Sequence, residues 1–202
     1  MLMDLKKAAA VAVLVCTSSV TADLIWDYGP ATGTHGGNWA NTTGGQNFAE
    51  QVIFDVNMYL TDIHMFTTYT DSPAGDYHLK ILLDNGAGDP GAVFMAWDQD
   101  VDNISVDNSG NVQQYKHTFE FDPILLEANT IYWIGVSGNG WEVGQSSVLT
   151  PGDGTMAQFS GSTFQFHTGV GDQMFQLTGY VPAPASLALL GLAGLALRRR
   201  RR

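Results

Sequence analysis

The amino-acid sequence predicts an all-β domain, an antiparallel β-sandwich of jelly-roll-like form over residues 23–180, flanked by two tails that stand outside it. Three observations carry this expectation. Apolar and polar residues alternate through the middle of the chain, no long stretch repeats apolar residues at i, i+3, i+4 and i+7, and turn-forming residues punctuate the alternating runs.

Val52, Phe54 and Val56 alternate with Ile53, Asp55 and Asn57. Further on, Tyr77, Leu79, Ile81 and Leu83 alternate with His78, Lys80 and Leu82, and Phe119 and Phe121 flank Glu120. The pattern returns at Tyr132, Ile134 and Val136, at Phe164 and Phe166, and at Phe175 and Leu177. Successive side chains of a strand point to opposite faces, so one face of each run is a core face. Asp71 to Gly75, Asp84 to Gly91, Asn108 to Asn111, Ser137 to Gly140, Pro151 to Gly154 and Gly169 to Asp172 separate the runs with residues that supply tight turns. About eight or nine short strands spaced in this way suit antiparallel sheets closed into a sandwich or barrel.

The charge distribution separates the tails from the middle. The basic residues are Lys6, Lys7, Lys80, Lys116, Arg198, Arg199, Arg200, Arg201 and Arg202, and of the acidic residues only Asp4 precedes Asp23. Residues 23–180 therefore hold nineteen acidic groups against two basic ones, a formal charge of −17. Such a surface repels phosphate backbones and excludes nucleic acid as a partner. Cys16, the single cysteine, falls in the apolar part of the N-terminal tail, so the domain has no thiolate chemistry. Val15 before it is a poor fit to the small residue a lipoprotein signal requires.

Residues 1–22 read as a signal peptide. Lys6 and Lys7 precede the apolar run Ala8 to Cys16, and Val20-Thr21-Ala22 presents small residues to a signal peptidase, which would cut between Ala22 and Asp23. At the other end Val181, Pro182, Ala183 and Pro184 break the fold. Ser186 to Leu197 then form a short hydrophobic helix segment, and five arginines finish the chain. That apolar run is shorter than the roughly 20 residues that span a bilayer comfortably. The arginines would stay on the cytoplasmic side and leave the domain outside.

Residues 181–202 resemble the PEP-CTERM sorting signal: a Pro-Glu-Pro-like motif, a short hydrophobic helix and a basic cluster, with Ala183 where that family usually has Glu. The resemblance implies a bacterial export substrate of an exosortase-type processing enzyme, delivered to the cell surface or extracellular matrix. Its tail would touch the membrane transiently or remain as an anchor. His78 to Gly86 with Asp89 to Val93, Asn129 to Val136 and Met174 to Tyr180 are similar to segments of many proteins bearing this tail. This second resemblance implies a fold similar to carbohydrate-binding β-sandwich modules.

Asp98, Asp100 and Asp102 alternate along one segment and are the candidate ligands for a structural calcium ion, which prefers several hard oxygens. Asn103 at the turn position and Ser109 at the twelfth depart from the EF-hand pattern, and a solvated acidic strand end is the competing reading. No other cofactor is expected. Among the five tryptophans, Trp39 in a glycine-rich loop and Trp141 after the Gly138-Asn139-Gly140 turn are the candidate carbohydrate platforms. The histidines show no zinc spacing, and no nucleophile elbow or phosphate loop occurs. Glu50, Glu120, Glu127 and Glu142 are carboxylates whose spacing does not define a glycosidase pair. The sequence thus points to a non-catalytic surface or matrix protein, with a carbohydrate-binding module for extracellular polysaccharide and a secreted hydrolase as alternatives.

Overall fold

A computed structural model describes residues 21–29, 38–40, 46–67, 77–108, 113–138, 142–144, 155–160, 163–168 and 172–182. These form thirteen strands and no helix: β1 Asp23–Asp27, β2 Asn38–Ala40, β3 Gln46–Ile53, β4 Met58–Thr67, β5 Tyr77–Asp84, β6 Pro90–Gln99, β7 Asn103–Asp107, β8 Gln114–Leu126, β9 Ile131–Ser137, β10 Glu142–Gly144, β11 Thr155–Ser160, β12 Thr163–Thr168 and β13 Phe175–Tyr180. The body of the signal peptide, Ala183, Pro184, the hydrophobic segment and Arg198 to Arg202 lie outside the described residues. No helix among the described residues is long and apolar enough to cross a membrane.

Every pairing is antiparallel. One sheet runs β1-β13-β4-β8-β7, the other β12-β11-β3-β9-β5-β6, and β2 pairs with β10 in a separate ribbon. The two large sheets share one core and make the domain sandwich-like. Leu60, Ile63, Met65, Phe119, Leu126, Phe175 and Leu177 of the first meet Phe48, Val52, Leu79, Ile81, Tyr132, Ile134 and Val136 of the second. Each such side chain contributes about 1.5–3 kcal/mol by leaving water. The alternation read from β5, β9 and β13 is the alternation that fills this core, whereas Val56 falls in a bend after β3 and is exposed.

Sequence periodicity did not reveal β4, and the reason is its position. It is a central strand, buried on both faces from Ile63 to Thr67, and a register shift between Leu60 and Asp62 changes the phase of its inward residues. The six-stranded sheet also carries an apolar cluster on its opposite face, where Leu82 and Trp133 pack with Ala49 and Ala157. Lys80 lies beside this cluster, its Nζ bonded to Asn47 Oδ1 and 3.9 Å from the Phe159 ring centre. Burial lowers its amine to about 7.

Asp23 pairs with Gly179, so the first and last strands lie side by side and both ends leave the domain together. Ala22, Asp23 and Val181 are exposed there.

Candidate functional site

Among the described residues a groove of about 720 Å³ lies between β6 and the second half of β8. It exists because two strands are irregular at the same level. In β6, Ile81 pairs with Met95 but Leu82 pairs with Val93, which leaves Phe94 as an extra residue. In β8, Leu60 of β4 pairs with Ile124 while Asp62 pairs with Glu120, so Phe121, Asp122 and Pro123 bulge. Pro123 has no N–H to give a ladder, which suits it to a bulge. β7 covers β8 only from Gln114 to Thr118, leaving the bulged half of β8 open on that side.

Aromatic rings floor the groove. Trp97 of β6 meets Phe121 of β8 edge to face at 5.1 Å and so bridges the two sheets, while Phe94 meets Tyr132 at 5.7 Å. Phe94, Met95 and Leu125, which line the groove, are exposed large apolar residues. Hydrogen bonds hold the rim. The Tyr132 hydroxyl accepts from the Glu127 N–H at 3.0 Å, the Ala128 N–H donates to Asn57 Oδ1 at 2.9 Å, and Asn129 turns the chain with φ of 56°. Among the described residues the charged lining groups are Asp122 and Glu127, both exposed. The groove falls within the ~300–1,000 Å³ range of small-molecule sites and offers ring faces beside hydrogen-bond acceptors.

The residues expected to hold calcium occupy separate environments. Asp98 lies 2.8 Å from His78 on the face opposite the core. Asp100 is exposed in the connection that follows β6. Asp102 accepts the Glu120 N–H at 2.7 Å and a Gln99 amide N–H at 3.0 Å, and Gln99 Oε1 in turn accepts the Trp97 indole N–H at 2.7 Å. Asp102 therefore positions Trp97 and fixes β8 where its bulge begins. Among the described residues no group of three His, Cys, Asp or Glu comes together as metal ligands. The calcium reading is tested by the melting temperature in chelator against millimolar calcium, where an unchanged value would remove the three aspartates as ligands. A calcium-dependent rise would keep the three aspartates in the role of ligands, because an ion that binds only the folded state stabilises it.

Trp39 lies on β2, opposite Val143 of β10, and Trp141 falls outside the described residues. Glu50 is inside the sandwich, where its Oε1 accepts the Gln173 N–H at 2.6 Å. The turn Asp84 to Asp89 is a self-contained structure in which Asp84 Oδ1 accepts the Gly86 N–H at 2.7 Å. Sequence reading missed the groove. Its one local signal was Pro123, two residues past Phe121 in an alternating run, which demotes a regular strand to an edge or a bulge.

No protein-family model matches the chain, and comparison with curated proteins finds no match.

Proposed function

We propose that the chain is an exported, non-catalytic component of the bacterial cell surface or extracellular matrix, and that its groove engages extracellular polysaccharide. The observation that carries the reading is the pair of facing bulges, which place Phe94, Trp97 and Phe121 around an open cavity on rigid strands. Flat rings pack on the C–H faces of sugars, and exposed carboxylates accept hydrogen bonds from their hydroxyls. The order β1-β13-β4-β8 opposite β3-β9-β5-β6 supports a jelly-roll topology, since the chain repeatedly changes sheet in that fold.

The tails support the address. Residues 1–22 have the pattern of a signal peptide and residues 181–202 that of a PEP-CTERM-like sorting tail, handled by signal peptidase and an exosortase-type enzyme. The exposure of Ala22, Asp23 and Val181 on one end of the domain is compatible with processing at both termini.

Surface-released protein is expected to begin at Asp23 by mass spectrometry and to be retained by polymer from its own producer. Phe94→Ala and Trp97→Ala should each weaken that retention about tenfold, on the scale of one lost ring contact. Trp39→Ala and Trp141→Ala test the sites read from sequence alone. An intact chain from Met1 to Arg202 in the cytoplasm would defeat the export reading. Because Asp122 and Glu127 share one groove, the same samples decide the hydrolase alternative: shortened polymer would establish turnover.

A further inference from the structure

We propose that the groove is selective for cationic amino-sugar chains, polymers of glucosamine whose amines are free, over neutral or uronic-acid polysaccharides. The inference rests on the polysaccharide reading above and adds the class of sugar. Its basis is charge complementarity. Among the described residues Asp122 and Glu127 are the charged groups on the groove, both carboxylates and both exposed to an incoming chain. The two lysines of the domain are committed elsewhere. Lys80 is buried against Asn47 and Phe159 on the far face of the six-stranded sheet, and Lys116 Nζ bonds Gln176 Oε1 at 3.0 Å.

The surrounding domain reinforces the same sign, with nineteen acidic residues against two basic ones between Asp23 and Tyr180. A uronic-acid chain would enter against this field, and a neutral chain would draw nothing from it. A glucosamine chain would bring ammonium groups to Asp122 and Glu127 while its ring faces lie on Phe94 and Trp97, where an ammonium also gains from the aromatic quadrupole. Individual surface ion pairs are weak, so the selectivity arises from repeated sugars engaging together.

The experiment uses the full chain in mild detergent and three immobilised oligomers of equal length: β-linked glucosamine, its N-acetylated form and a uronic acid. Binding to the glucosamine oligomer is expected to be at least about tenfold tighter than to the N-acetylated one, to be absent for the uronate, and to weaken steeply with added salt. The double variant Asp122→Asn/Glu127→Gln, with both residues exposed and the volumes kept, should fold normally and lose most of the preference, keeping only the salt-sensitive remainder that the surrounding acidic surface supplies.

Equal binding of the first two oligomers by the unaltered chain would overturn the amino-sugar proposal and leave the polysaccharide reading intact. So would a double variant that keeps the preference undiminished, or oligolysine that binds as tightly as glucosamine and ignores the substitutions. Failure of all three oligomers together with the producer's own polymer would remove the polysaccharide reading itself.

Discussion

Replacing Gly135 by Ala is expected to destabilise the domain by about 3 kcal/mol or more, which for a chain of this size lowers the melting temperature by about 6–12 °C. Gly135 lies in β9, opposite Lys80 of β5, and a Cβ there would run into the carbonyl oxygen of Phe48 in β3. The obstacle is backbone of a central strand, so the collision cannot be relieved by turning a side chain. Gly179 is constrained alike by the Tyr59 carbonyl oxygen. Gly86→Ala is the control: its surroundings are open, and the substitution meets only the strain of a φ of 88°, a cost of about 1–2 kcal/mol. Chemical denaturation of the three variants checks the order, and a Gly135→Ala protein as stable as the parent would show that β3 and β9 do not approach as closely as described.

Acidification from pH 6.5 to pH 4 is expected to weaken the fold before the ordinary carboxylates titrate. Burial lowers His117 to about 4, and burial followed by the nearby Lys116 charge lowers His64 to about 4, against 6.5 when unfolded. Within this interval the unfolded chain binds protons that the folded chain refuses. Stability is thus fully present above pH 6.5 and falls as the pH drops toward 4, by at most about 3 kcal/mol for each histidine. His64 is held by Thr118 Oγ1 at 3.0 Å and Thr178 Oγ1 at 2.7 Å, which ties three strands of one sheet together. The double variant His64→Gln/His117→Gln should flatten the urea midpoint between pH 6.5 and 4, and an unchanged slope would show that these rings are not the acid-sensitive groups.

Lys80 acts in the alkaline range with the same sign. Its amine falls from 10.5 to about 7 on folding, so its contribution to stability rises with pH between those values as the unfolded chain alone stays protonated. The −17 charge opposes this rise through self-repulsion.

What the amino-acid order determined by itself was the class of fold and the faces of its strands. Tyr77, Leu79 and Ile81, then Tyr132, Ile134 and Val136, then Phe175 and Leu177 point inward because side chains alternate wherever a strand is regular and buried on one face. The groove was decided by tertiary structure alone. Phe94 becomes an extra residue only through the pairing of β6 with β5, and Phe121 to Pro123 bulge only through the pairing of β8 with β4, whose partners stand about 60 residues apart. Asp102 shows the same division: its spacing from Asp98 and Asp100 is visible in the sequence, while the N–H it accepts, that of Glu120, lies 18 residues away. Local order sets which way a side chain leaves its strand, but register between distant strands sets what it meets, because that register is chosen by the packing of the whole core.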